Sequence, residues 1–377
     1  MLEMSRLRMS WQAVWAMSVT AIIVAHAALV VAAEPLSSPS CAPPNITIES
    51  IERAFHNGEH NAFTDLCRFG DKYYLTFRSC PDGHMVHPTS SILVLASDDG
   101  RTWKPVHRFS VPKRDVRDPH FLVFRARLFV YTGTWYCGET SPKTRDLNQH
   151  LGYGCWTTDG QTWHGPTMLE GTYGHYVWRA AAHGEQAYLC GRRKREFAES
   201  DEPEPQTVES AMLESDDGLV WRTRALFQET RGDETAFLFE PDGAIVAVAR
   251  GGGRTNAELC RSRAPYDTWQ RVDLGRQIGG PLLARWRGHW LVGGRKSIGE
   301  ARLALYWLIG DKLQEIAELP SGGDCSYPGF VELVDAGNNG AASKSNRALV
   351  SYYSSHEKDD AGKPITAIYL ARLKIAE

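Results

Sequence analysis

The chain carries no surplus of either charge. Its 42 Lys plus Arg face 45 Asp plus Glu in 377 residues, a formal net charge of −3, so it lacks the basic footprint of a nucleic-acid binder. Zinc-ribbon spacing is missing too: the eight cysteines (41, 67, 80, 137, 155, 190, 260 and 325) are scattered without a C-x-x-C pair. An even number leaves room for disulfides, whose pairing the sequence does not fix. No Walker loop, dinucleotide fingerprint or G-x-S-x-G elbow ahead of a helix is present, which argues against P-loop, Rossmann and α/β-hydrolase chemistry. Beyond the N-terminal region the sequence has no hydrophobic run of membrane-spanning length and no amphipathic helical pattern of a dozen residues. With 34 Gly and 19 Pro, what remains is a turn-rich globular composition.

The one long apolar run lies at the start. Met1 to Trp11 carries Arg6 and Arg8, and the run from about Val14 to Val31 closes in Val31-Ala32-Ala33. This reads as a signal peptide over residues 1–33, with an uncleaved anchor as the alternative. Either way the body is expected outside the cytoplasm, secreted or periplasmic. A Ser/Pro-rich linker is expected over 34–50 and a single domain over 51–377, with no membrane span in the mature chain.

Within that domain one pattern repeats. Ser97-Asp98-Asp99-Gly100-Arg101-Thr102-Trp103 recurs from Thr157 to Trp163 and from Ser215 to Trp221, with a weaker copy from Ser262 to Trp269. Spacings near fifty residues mark blade-like units around an axis. Each copy follows an apolar, β-rich run such as Ser91 to Ala96, and its Asp-Gly pair suits a hairpin turn that needs positive φ. Further strands are expected at 72–77, 121–131, 186–190, 301–308 and 347–353. The mature chain at this period predicts an all-β propeller of six blades, with five as the alternative, its last blade completed by an N-terminal strand. The basic run Arg192 to Arg195 reads as a solvated loop, the alternative being a substrate-gripping arm.

The segment from Asp233 to Arg250 carries chemistry. A turn at Pro241-Asp242-Gly243 pairs Glu240 with Ala244 and, continuing outward, sets Glu234 opposite Arg250 at the open end of the hairpin. Together with the repeated Asp boxes, Arg295 in Gly293-Gly294-Arg295 and the stretch Asp324-Cys325-Ser326-Tyr327-Pro328-Gly329, this element resembles the sialidase (neuraminidase) superfamily from about His56 to the C-terminus. The resemblance implies a six-bladed propeller with an active site on its axis. There Tyr327 would be the nucleophile, Glu234 would polarise its hydroxyl, and Arg250 and Arg295 would hold a substrate carboxylate. The expected activity is that of a retaining glycoside hydrolase of the exo-alpha-sialidase type, releasing a terminal acidic sugar. A tyrosine hydroxyl, with a pKa of about 10, needs an adjacent base and cationic surroundings to react. Being neutral, it also avoids repulsion by a sugar carboxylate.

The sequence departs from the family pattern where blade 1 should donate an arginine, because Glu59 to Leu66 contains none. Arg78 and Arg179 are the candidates to replace it. For the acid/base, Asp82 in Pro81-Asp82-Gly83, Asp118 and His84 are the candidates. These departures keep two alternatives open: a carbohydrate-binding propeller without catalysis, and a glycosidase or lyase acting on a uronic acid or other non-sialic sugar. His56, His60, His84 and His87 fit no common zinc spacing, so neither a metal site nor a cofactor is expected. The expected partner is a glycan or glycoconjugate, not a nucleic acid.

Overall fold

A sheet with two apolar faces must be covered on both, and stacking sheets around an axis achieves this without helices. The computed structural model describes residues 42–139, 145–199, 204–297, 300–335 and 343–376, and these form six four-stranded antiparallel sheets. The six-blade expectation therefore holds and the five-blade alternative falls. Blades 1 to 5 span residues 60–109, 114–168, 176–228, 235–273 and 279–319. Blade 6 joins the strands after Cys325 to Ile46–Phe55, which pairs with Pro364–Ile375 so that Ile46 faces Ile375. This closing strand starts inside the stretch expected to be linker. The expected signal peptide and Cys41 lie outside the described residues, among which no helix is long and apolar enough to cross a membrane.

Three Asp boxes follow the third strand of their blades and share one bonding pattern. In the first, Asp99 Oδ1 accepts from the backbone N–H of Arg101 and Thr102, both at 2.8 Å, while Gly100 N donates to Ser97 Oγ at 2.9 Å. The boxes also stitch blades together, since Tyr131 of blade 2 donates to the carbonyl of Gly218 at 2.9 Å and its ring packs edge-on to buried Trp221.

Two local expectations are corrected. The strand expected over 121–131 is a hairpin, Arg114–Phe124 followed by Arg127–Tyr136, whose turn residues Arg125 and Ala126 take positive φ (47° and 57°) without glycine. The basic run is not a solvated loop either. Arg192 and Arg193 end the strand Gln186–Lys194, and Arg193 and Arg195 both pair with the buried Glu209, at 3.0 and 3.1 Å. The seven described cysteines are unpaired and all but Cys67 are buried, so they behave as small core side chains.

Candidate active site

The innermost strands line the axis: His60–Phe69, Arg114–Phe124, Tyr176–His183, Thr235–Phe239, Gly279–Trp286 and Cys325–Asp335. Five of them carry a β-bulge at an equivalent place, just after Ala62, Arg117, Val177, Gly279 and Ser326. A bulge sets two residues against one and re-aims a side chain. Here the first bulged residues are Phe63, Asp118, Trp178, Gly280 and Tyr327, and they gather around the tyrosine. Its ring lies edge-on to Phe63 (4.9 Å between centroids) and Trp178 (6.2 Å). Phe63, Asp118 and Tyr327 have φ between 51° and 63°, a cost for non-glycine residues that persists only where the surroundings enforce it, while Gly280 takes a φ of 59° freely. At Gly280 a Cβ would lie 2.8 Å from the Tyr327 ring, so this blade can present only glycine.

The hairpin register is the one expected: Thr235 faces Ala249, and Arg250 N donates to the carbonyl of Glu234 at 2.9 Å. The Tyr327 hydroxyl donates to Glu234 Oε1. Glu234 Oε2 accepts from an Arg250 terminal nitrogen at 2.8 Å and from Gly280 N at 3.1 Å. Beside it, Asp233 holds Arg250 Nε at 3.3 Å and Arg192 at 2.9 Å. Arg192 enters the sequence reading only through the alternative of a substrate-gripping arm in the basic run, not as a residue of this site. It faces Tyr176 across the blade 3 hairpin and stacks over that ring at 5.3 Å, a placement that the strand continuing through the basic run would have indicated. Arg295 faces Gly279 and donates to the carbonyl of Cys325 at 3.2 Å. Arg192, Arg250 and Arg295 all remain partly exposed.

Electrostatics divide the two buried carboxyls. Burial alone would raise the pKa of Glu234, but the charge of Arg250, the hydrogen bonds from Tyr327 and Arg250, and the charge of Arg192 outweigh it and hold this carboxyl below the usual range. Asp118 goes the other way. Burial and the neighbouring charge of Glu234 push it up to about 7, against the opposing pull of Arg117 and Tyr176. Its Oδ2 accepts from the Tyr176 hydroxyl, while its Oδ1 is buried with no partner. Burial and the charges of Glu234 and Asp118 raise the Tyr327 phenol well above its usual value, with Arg250 and Arg295 opposing them. At neutral pH the site thus holds an ionised glutamate, a neutral tyrosine and a carboxyl that can carry a proton, the separation that distinguishes a base from an acid.

The remaining expected residues have other partners. Fully buried Arg78 binds Asp115 and the carbonyls of Gly83 and Met85, each at 3.0 Å, so it braces a loop and does not face the axis. Arg179 ties blades together beneath the site: it reaches the carbonyls of Pro281 (2.9 Å) and Pro328 (2.6 Å) and the carboxylate of Asp65 (3.1 Å). Neither arginine presents a free guanidinium to a sugar. Asp82 is exposed and accepts from Thr89 Oγ1 at 2.5 Å, as a turn aspartate does. His84 sits on the rim with Nδ1 2.7 Å from Asp324 Oδ2, an oxygen that also meets His60 Nε2 at 2.8 Å. Phe63 bridges the two zones, since its ring packs on both His84 and Tyr327.

No family model and no curated protein matches the sequence. Solved structures do match. Trypanosoma rangeli sialidase in complex with the inhibitor DANA aligns with a TM-score of 0.61 at 13% identity, over 83% of this chain and 55% of that one. The fold is sialidase-like. The phage phi92 endosialidase aligns with a TM-score of 0.61 at 11% identity, covering 87% and 69% of the two chains. The parainfluenza virus 5 hemagglutinin-neuraminidase ectodomain gives 0.56 at 9% identity, covering 88% and 85%. This sialidase-like propeller spans about half the length of the trypanosomal sialidase, and identities this low carry the fold alone.

Proposed function

We propose that this propeller is a retaining glycoside hydrolase that releases a terminal anionic sugar from a glycan, exported by the signal peptide expected over residues 1–33. The observation that carries the reading is the Tyr327–Glu234–Arg250 chain of hydrogen bonds on the axis. As the Tyr327 oxygen attacks the anomeric carbon, its proton passes to Glu234, a carboxylate kept ionised by Arg250. Asp118 donates its proton to the departing glycosidic oxygen, leaving a covalent glycosyl–tyrosine intermediate, an aryl glycoside. Water then attacks the same carbon while Asp118 takes back a proton, and Glu234 returns the first proton to the phenolate. Atoms and charges balance over the two steps, and the anomeric configuration is retained. Arg250, Arg295 and Arg192 offer planar donors for the sugar's carboxylate.

Asp118 suits the acid role better than Asp82 or His84, because it lies buried within reach of the charge of Glu234 and has an oxygen without a partner. The test is hydrolysis of 4-methylumbelliferyl α-sialosides and uronides by the full chain and by Tyr327→Phe, with folding checked by circular dichroism. Turnover that disappears in the variant supports the reading. Turnover that survives refutes the tyrosine mechanism, and glycan binding without turnover in either protein favours a carbohydrate-binding propeller.

A further inference from the structure

Beside the axial site, and outside the chemistry just assigned, three metal-binding side chains converge from distant parts of the chain. His60 begins the inner strand of blade 1, His84 lies on the loop after that blade's second strand, and Asp324 precedes the inner strand of blade 6. His60 Nε2, His84 Nδ1 and one Asp324 oxygen lie within 4.8 Å of one another, the one such grouping of histidine, cysteine and carboxylate among the described residues. Both imidazoles approach the same oxygen, Oδ2, at 2.8 and 2.7 Å. The other oxygen, Oδ1, accepts from the Tyr353 hydroxyl at 2.8 Å.

We infer that His60, His84 and Asp324 form a site for a divalent first-row transition metal ion of the zinc type. Two imidazoles and one carboxylate are a donor set that such ions favour, whereas Ca²⁺ and Mg²⁺ call for oxygens alone. Ligands at about 2.0–2.1 Å from a tetrahedral ion are separated by roughly 3.3 Å, so each nitrogen–oxygen gap must open by about half an ångström while the two imidazole nitrogens, within 4.8 Å of each other, close by up to about 1.5 Å, a shift that the half-exposed His84 ring can make. Tyr353 acts as the outer partner that orients the carboxylate, leaving Oδ2 as the single ligating atom. Three protein ligands leave a coordination position vacant, and His84, whose side chain is 45% exposed, puts the cluster at the solvent edge, where an ion can enter and water can complete the shell. Its neighbour Phe63 packs on both His84 and the Tyr327 ring, so a bound ion would add positive charge beside the axial residues.

The test uses the full chain, stripped with a chelator and desalted. Titration with Zn²⁺ followed by calorimetry should give one site per chain, and Co²⁺ should give the visible absorption of a low-coordinate nitrogen–oxygen site. His84→Ala, at a half-exposed position, and Asp324→Asn should each weaken binding on the order of 10–100-fold. His164→Ala, on an exposed outer strand, should leave it unchanged. Absence of stoichiometric binding, or binding that His84→Ala and Asp324→Asn both leave intact, would overturn the assignment and make the cluster a hydrogen-bonded His–Asp–His brace. Both readouts are independent of glycoside hydrolysis, so failure of one reading does not entail failure of the other.

Discussion

Replacing Asp118 by Asn removes one ionisable group while leaving shape nearly unchanged. Asparagine tolerates the positive φ of 51° found there as readily as aspartate does, and its oxygen can still accept from Tyr176. The carboxyl moves from 3.8 in the unfolded chain to about 7 in the fold, a gap equivalent to about 4 kcal/mol. The folded-state value is raised, so the stabilisation belonging to this group is complete below pH 4 and is lost as pH climbs through 7. Above that the folded protein must keep a second buried anion beside Glu234. Urea unfolding of both proteins at pH 4.5, 6 and 8 isolates the effect, because contributions from all other groups largely cancel in the difference. The stability of the variant relative to the parent should rise by about 3 kcal/mol between pH 4.5 and 8, most of it before pH 7. Curves that stay parallel would refute the raised pKa and, with it, the role of Asp118 as the proton donor. Activity offers a second reading: kcat/KM of the parent should fall above about pH 7. The variant should be slower by roughly 10²–10⁴ on substrates with poor leaving groups, and by much less on aryl glycosides.

Other perturbations test the surroundings. Tyr327→Phe should reduce turnover on the order of a thousandfold or more; because the lost hydroxyl also donates to buried Glu234, it should cost no more than about 1.5–3 kcal/mol in urea unfolding, the worth of one hydrogen bond to a charged group. Gly280→Ala must place a Cβ 2.8 Å from the Tyr327 ring at a φ of 59°; it should cost on the order of 1 kcal/mol or more in urea unfolding and lower kcat further than that loss accounts for. Arg250→Lys keeps the charge but cannot hold Asp233 and Glu234 together, so KM for an anionic glycoside should rise on the order of tenfold. Arg179→Met leaves the Asp65 carboxylate and two buried carbonyls without their donor, a loss of about 3–5 kcal/mol that should appear as a lower thermal midpoint.

Much of the architecture is legible in the chain because its signals are local. A short box repeated near every fifty residues reports the blade, and a tight turn at Pro241-Asp242-Gly243 transmits register outward to Glu234 and Arg250 residue by residue. Bulges break that arithmetic. They insert a residue without a composition of their own, so nothing in the sequence sets Phe63, Asp118 and Tyr327 at one level. Burial is similarly hidden: Arg78 and Arg179 look like exposed, substrate-facing arginines until Asp115 and Asp65 are seen beside them. The hairpin at Arg125 and Ala126 escapes notice for want of glycine. His60, His84 and Asp324 escape it because spacing rules apply to neighbours in sequence, whereas Asp324 lies 264 and 240 positions from the two histidines.

The bulges along the inner wall also separate what can change from what must stay. Each is closed by the hydrogen-bond ladder of its own blade, so the residue it displays can be exchanged without altering strand pairing in the next. The wall behaves as a set of independent holders, of which Gly280 fills one with nothing but backbone. The occupants at 63 and 178, whose rings pack on Tyr327, can therefore differ while the strand pairing that holds 118 and 327 in place stays as it is.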